Sequence, residues 1–166
     1  MRFSASFILS GLLATGALAA PAAVKRAGVL TKQSYADFQI SDGVAGNAQA
    51  EVLQKFPIDM NDLANVDPAD QQIISGAREV AESAETDAFN PAIDAASGAD
   101  ATALQNGKIK NKVLKLQLEV MDLMISQAQG EDNADKIAEE TTKLNTNIGL
   151  DSDAAGQASQ SVQFDG

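Results

Sequence analysis

The chain has 166 residues, and 23 acidic side chains against 12 Lys and Arg give it a formal charge of −11, which disfavours nucleic acid and anionic membranes as partners. It contains neither Cys nor His, which excludes disulfides, thiolate nucleophiles, Ser-His-Asp catalysis and metal sites ligated by Cys or His. With no Trp and a single Tyr, binding of sugars or bases on an aromatic platform is not expected.

Residues 1–19 have the form of a secretory signal. Arg2 supplies the positive start, residues 7–18 the apolar stretch, and Ala17-Leu18-Ala19 a small-x-small cleavage site ending at Ala19. A membrane-spanning reading fails, because the apolar run is short and broken by Ser10, Thr15 and Gly16. Residues 20–26 read as a short propeptide that ends in the dibasic pair Lys25-Arg26, similar to the kexin-type processing sites of fungal secretory pathways. Cleavage there leaves 140 residues, which suits one domain. It also removes Arg2, Lys25 and Arg26 but no acid, so the formal charge becomes −14. The chain has no Asn-x-Ser/Thr acceptor, so N-glycosylation is not expected.

The next structured stretch is 31–56. Ser34 is placed to cap a helix, and Asp37 follows at a position where a carboxylate suits the dipole. Phe38, Ala45, Val52 and Phe56 share one face, and Pro57 ends the pattern. The glycines in Ser41-Asp42-Gly43-Val44-Ala45-Gly46-Asn47-Ala48 cost a helix about 1 kcal/mol each relative to Ala. One continuous helix is the favoured reading, with small residues admitting a close neighbour. A break at Asp42-Gly43 is the alternative. The run Tyr35-Ala36-Asp37-Phe38-Gln39-Ile40-Ser41-Asp42-Gly43-Val44-Ala45-Gly46-Asn47-Ala48 resembles the opening of an uncharacterised family of small secreted fungal proteins. That resemblance implies a fungal, extracellular protein and carries over no catalytic residue. Phe38, Gly43, Gly46 and Asn47 are the candidate interaction or packing motif within it.

Residues 58–66 read as a connector, with Met60 and Leu63 turned inward. Asp67-Pro68-Ala69-Asp70 is a helix start: Asp67 caps, Pro68 takes the first position, and Asp70 suits the dipole. Ile73, Ala77, Val80, Ala84 and Ala88 form one face, Glu79, Glu82 and Glu85 face water, and Asn90-Pro91 is the expected end. Residues 91–100 are small and polar, and Asp100 is the expected cap of a long third helix. Within it, Ile109, Val113, Leu116, Val120, Leu123 and Met124 form one apolar stripe, and Leu114, Leu118, Met121, Ile125 and Ala128 a second beside it. A helix apolar over more than half its circumference needs cover from several neighbours, so this is the expected core element. Lys108, Lys112 and Lys115 line its remaining arc as a solvated strip, with Lys110 pointing elsewhere. Gly130 closes it. The last helix is expected over 131–150, with Ile137, Leu144 and Ile148 inward and Gly149 as its stop.

The fold expected is all-α: a small antiparallel bundle of about four helices over 27–150, followed by a flexible tail over 151–166 that is rich in Ser, Gln, Ala and Gly. Asp151-x-Asp153-x-x-Gly156 imitates the start of a calcium loop but continues with Ala155 and Val162 where oxygen ligands are needed. No cofactor or metal is therefore expected. A glycosidase-type carboxylate pair would need a sugar cleft, which the lack of Trp argues against. The expectation is a non-enzymatic secreted protein of effector, elicitor or surface-associated type, with a host or cell-wall component as partner. A carrier that holds a lipid or other apolar ligand between helices, with Met121 and Met124 as adaptable lining, is the alternative. A carboxylate-based hydrolase is the third.

Overall fold

The computed structural model describes residues 27–166. The signal and processing residues Ala19, Lys25 and Arg26 therefore lie outside the described residues. The elements are α1 (Tyr35–Phe38), β1 (Gly43–Val44), α2 (Ala48–Lys55), α3 (Pro68–Ala84), α4 (Asn90–Ala95), α5 (Gly98–Ala128), α6 (Ala134–Asp153) and β2 (Ala158–Ser159). The architecture is an all-α bundle with one two-stranded antiparallel ribbon, in which Gly43 pairs with Ser159 and Val44 with Ala158.

The bundle is built around α5. Its Val113, Leu114, Leu118, Met121 and Ile125 have no exposed surface, as the two adjacent stripes require. One side is covered by α3. Cross-links run from Ala81 to Asn111, Arg78 to Glu119, and Gln71 to Asp122 and Ser126. As one number rises the other falls, so the two helices are antiparallel. A tight turn after α5, with Gly130 at φ +113°, returns the chain as α6 on another side. The Ala-rich face of α3 (Ala77, Ala81, Ala84) is buried and brings α3 close to α5.

Several local expectations hold. Asp67 accepts from the Ala69 amide at 2.8 Å, with Pro68 in the first turn of α3. Others are corrected. The 31–56 region is not one helix: it stops at Phe38, runs extended through β1, and restarts at Ala48. The cause is Gly43 at φ +90° and Gly46 at φ +115°, conformations no helix contains. At the other end of α3, the chain does not stop at Asn90-Pro91. A single π turn over Glu85–Phe89 widens the backbone and the chain continues as α4, so the Pro91 ring avoids the carbonyl it would strike in a regular helix. The α5 helix begins at Gly98 after Ser97, and Asp100 lies in its first turn. Likewise α6 passes through Gly149 to Asp153.

The largest correction concerns 151–166. These residues fold back across the bundle rather than trailing from it. Asp151, 2% exposed, accepts the amides of Gly46 and Ala48 at 2.9 Å each and so caps α2 from another element. Asn106 donates to the Ala158 carbonyl at 2.9 Å, and the Gln160 amide donates to Ala103 at 3.0 Å. Beyond β2, Ser161 donates to Asp42 from both its amide and its hydroxyl. The Phe164 ring meets Tyr35 edge-on at 5.7 Å. The seat for this segment is Gly107 in mid-α5, where a Cβ would lie 2.8 Å from the Gln160 carbonyl carbon.

Candidate functional site

Residues 27–34 run as an extended strap alongside α3, fastened by one buried carboxylate. Asp70 is 3% exposed and accepts the amides of Val29 and Leu30 at 2.8 Å each. Its place in the first turn of α3 puts the charge at the positive end of the dipole. Beyond the strap, Ser34 starts α1, where its hydroxyl donates to Asp37 at 2.6 Å instead of capping a backbone amide. Tyr35 then plunges into the core, donates to Asn111 Oδ1 at 2.9 Å, and Asn111 donates in turn to Ala81 O at 2.8 Å. Burial above all pushes the Tyr35 phenol up to about 12; the Ser41 hydroxyl beside it pulls the other way, and the Asp42 charge adds to the rise. Ser41 Oγ is buried without a hydrogen-bond partner.

Strap, α1, the end of α2 and α3 do not close completely against one another. Between them lies a groove of about 550 Å³. That volume is in the range of small-molecule sites. Its floor is apolar: Leu30, Phe38, Phe56, Ile73 and Val80, with Ala77 between them. Phe38 and Phe56 stack edge-on with centroids 6.0 Å apart. Gly76 presents bare backbone to it, with nothing within 4 Å of where a Cβ would stand. Two ammonium groups, Lys32 and Lys55, stand at the margin; Lys55 donates to the Asp37 carbonyl at 2.6 Å. The only carboxylate among the lining residues is Glu79, which Arg78 approaches to 3.2 Å. On an acidic protein this margin is locally cationic.

The candidate motif is divided between this groove and the C-terminal fold-back. Phe38 is 4% exposed and lines the groove. Gly43 sits in β1, and Gly46 passes so close to Ala155 that a Cβ would lie 2.8 Å from its side chain. Asn47 precedes α2 without a side-chain cap, and its carbonyl accepts the Glu51 amide. Lys110, which departs from the lysine strip, is 1% exposed. Its ammonium binds the carbonyls of Asp42 and Val44 and pairs with Glu51 at 2.9 Å, so it pins the 42–44 loop. The strip itself is not a bare anion site. Lys112 pairs with Glu85, Lys115 with Glu82, and Lys108 donates to Asn90. Glu85 thus turns toward α5, against the expectation that it faces water.

Met121 is fully buried and Met124 packs against the core, so neither lines the groove. Sequence reasoning missed the strap wall, Leu30 and Lys32, and the opening over Gly76. The stripe of Ile73, Ala77 and Val80 was the available signal, but periodicity does not reveal that its cover is incomplete. Among the described residues, no group of three or more acidic side chains is arranged to hold a metal ion. No helix among them is long and apolar enough to cross a membrane.

Residues 30–163 match a family model described as Domain of unknown function (DUF8454). No curated protein and no solved structure matches the chain.

Proposed function

The chain belongs to the DUF8454 family, and we propose that it is a secreted, non-enzymatic fungal protein that carries an anionic amphiphile in the groove between strap and α3. The signal-like residues 1–19 and the dibasic pair Lys25-Arg26 support the extracellular reading. The fungal reading rests on the resemblance over Tyr35–Ala48. The observation that carries the ligand class is the groove itself: an apolar floor of Phe38, Phe56, Ile73 and Val80 beneath a margin bearing Lys32 and Lys55. An alkyl chain would cover the floor, and each buried methylene would contribute about 0.8 kcal/mol. An anionic head would meet the ammonium groups, whose flexible stems adjust to its position. The absence of Cys and His from the whole chain removes a thiolate nucleophile and an imidazole general base, which supports a binding role over a catalytic one.

The test is a titration with a long-chain fatty acid and with the uncharged alcohol of equal chain length. The proposal expects saturable binding of both. The acid should bind more tightly, and that advantage should disappear in Lys32→Gln/Lys55→Gln. Absence of binding, or equal binding of acid and alcohol by the unaltered protein, would overturn it.

A further inference from the structure

Helix α3 carries a glycine for which the fold has no use. Gly76 lies in the middle of Pro68–Ala84, where glycine weakens a helix relative to Ala. Its φ is not positive, so no left-handed conformation calls for it. Nothing stands within 4 Å of its Cβ position, so no neighbouring element needs the missing methyl group. Gly107 is the contrast: there the Gln160 carbonyl occupies the space that a side chain would take. At Gly76 that space is empty, and it opens into the groove. Gly149 is open as well, but it lies on α6, which lines no part of the groove. Ile73 stands three residues before Gly76 and Val80 four residues after, so both share its face of the helix. Both pack against the core and line the same groove. Together they form a notch: two branched residues about 10 Å apart along the axis, with bare backbone between them.

The proportions of the groove agree with a wide occupant. Its α3 wall runs from Ala69 to Val80, about 16 Å of helix, so a volume of about 550 Å³ corresponds to a mean cross-section of about 34 Å². A single extended alkyl chain leaves much of that section empty, and an unfilled gap forfeits the dispersion contacts of its walls. A fused-ring body fills it. The walls favour such a body for a second reason. The backbone at Gly76 is part of a regular helix, and Phe38 and Phe56, each 4% exposed, hold one another edge-on. A rigid ligand against rigid walls loses little conformational freedom on binding, whereas a flexible chain surrenders rotamers. We propose that Gly76 is the specificity-determining residue of the groove, and that the occupant is an anionic amphiphile whose apolar part is a fused-ring body with one edge seated in the notch. This rests on the reading of the groove as a carrier site and narrows its ligand class. The glycine then trades helix stability for room above the backbone.

The experiment measures the affinity of two probes, each below the concentration at which it forms micelles. Dehydroabietate is a tricyclic carboxylate, and palmitate is a straight-chain one. The unaltered protein should bind dehydroabietate about 10-fold more tightly than palmitate. Gly76→Leu fills the notch and should abolish that preference by weakening dehydroabietate while leaving palmitate bound. Gly76→Ala should raise the melting temperature by about 3–4 °C and weaken dehydroabietate, so that stability and affinity move in opposite directions. Gly149→Ala should raise the melting temperature similarly and leave both affinities unchanged. An unaltered protein that binds palmitate as tightly as dehydroabietate, or a folded Gly76→Leu protein that keeps the preference, overturns the ring assignment and spares the carrier reading. If Gly76→Leu fails to fold, Gly76→Ala decides: a higher melting temperature with unchanged preference overturns the assignment. Binding of neither probe overturns both readings.

Discussion

Replacing Gly107 by Ala should destabilise the protein, although helix propensity alone argues the reverse. In the interior of a long helix the change gains about 1 kcal/mol. At this position, however, the new methyl group would fall on the backbone carbonyl of Gln160. Neither that backbone nor α5 can yield without disturbing the bonds that hold them together. The Gln160 amide to Ala103, Asn106 to Ala158, and Ser159 to Ser41 would be the first to go. Each such bond contributes about 0.5–1.5 kcal/mol net. Three of them outweigh the propensity gain and leave a net loss of about 1–3 kcal/mol. For a domain of this size that lowers the urea midpoint by about 1 M. Hydrogen exchange should show the loss of protection concentrated at Ala45 and Gln160, whose amides bond across the fold-back. Gly149→Ala is the control. It too lies inside a helix, but nothing stands within 4 Å of its Cβ position, so it should stabilise by about 1 kcal/mol. If Gly107→Ala is as stabilising as Gly149→Ala, the docking of the C-terminal segment against α5 is wrong.

Further outcomes follow from the buried polar groups. Asp70→Asn keeps the shape of the side chain but loses the charge that accepts the Val29 and Leu30 amides. It should cost about 1.5–3 kcal/mol in denaturant unfolding and release exchange protection in the strap before the rest. Spectrophotometric titration should place the Tyr35 phenol at about 12. Because the folded value lies above the unfolded value near 10, stability is unaffected below pH 10 and falls by about 2–3 kcal/mol as pH rises through 12. An ordinary phenol titration in the folded protein would contradict its burial. For Asp42, burial acts to raise the carboxyl, but the Ser161 amide and hydroxyl, the Gln39 amide and the Lys110 charge outweigh it and hold the group below its usual range. Its contribution is present above the unfolded value and is lost as pH falls through the folded one. Acid below the ordinary carboxylate range, but not mild acid, should therefore loosen the C-terminal fold-back, read as increased cleavage after Ser159 by an acid-active protease, and Asp42→Asn should remove that pH dependence.

The parts of the fold that were legible in the sequence are those whose cause is local. The apolar stripes on α5, the Asp67-Pro68 start of α3 and the Gly130 stop each follow from residues a few positions apart. The parts that were not legible depend on partners distant in sequence. Phe38, Ala45, Val52 and Phe56 keep helical phase across the β1 break, so periodicity favoured one helix. What overrides it is the pairing of Gly43 with Ser159, far along the chain. Residues 151–166 read as a tail because their own side chains are small and polar. They are held mainly through backbone carbonyls and amides, and the information sits in Gly107, Asn106 and Asp42. Gly107 shows the difficulty plainly: the same residue is a weak point by propensity and a seat by packing. The groove was hidden for a related reason. Its floor uses ordinary core-type side chains, and only the path of the strap, set by Asp70, leaves that floor open.

In the proposed function this open floor carries a ligand. Native mass spectrometry of the protein taken directly from the culture fluid of its own organism tests it most simply. The expected result is a population bearing one adduct with the mass and release behaviour of an anionic amphiphile, diminished in Lys32→Gln/Lys55→Gln and displaced by added long-chain fatty acid. Protein that is consistently free of ligand, and that takes up no fatty acid when offered it, would contradict the claim.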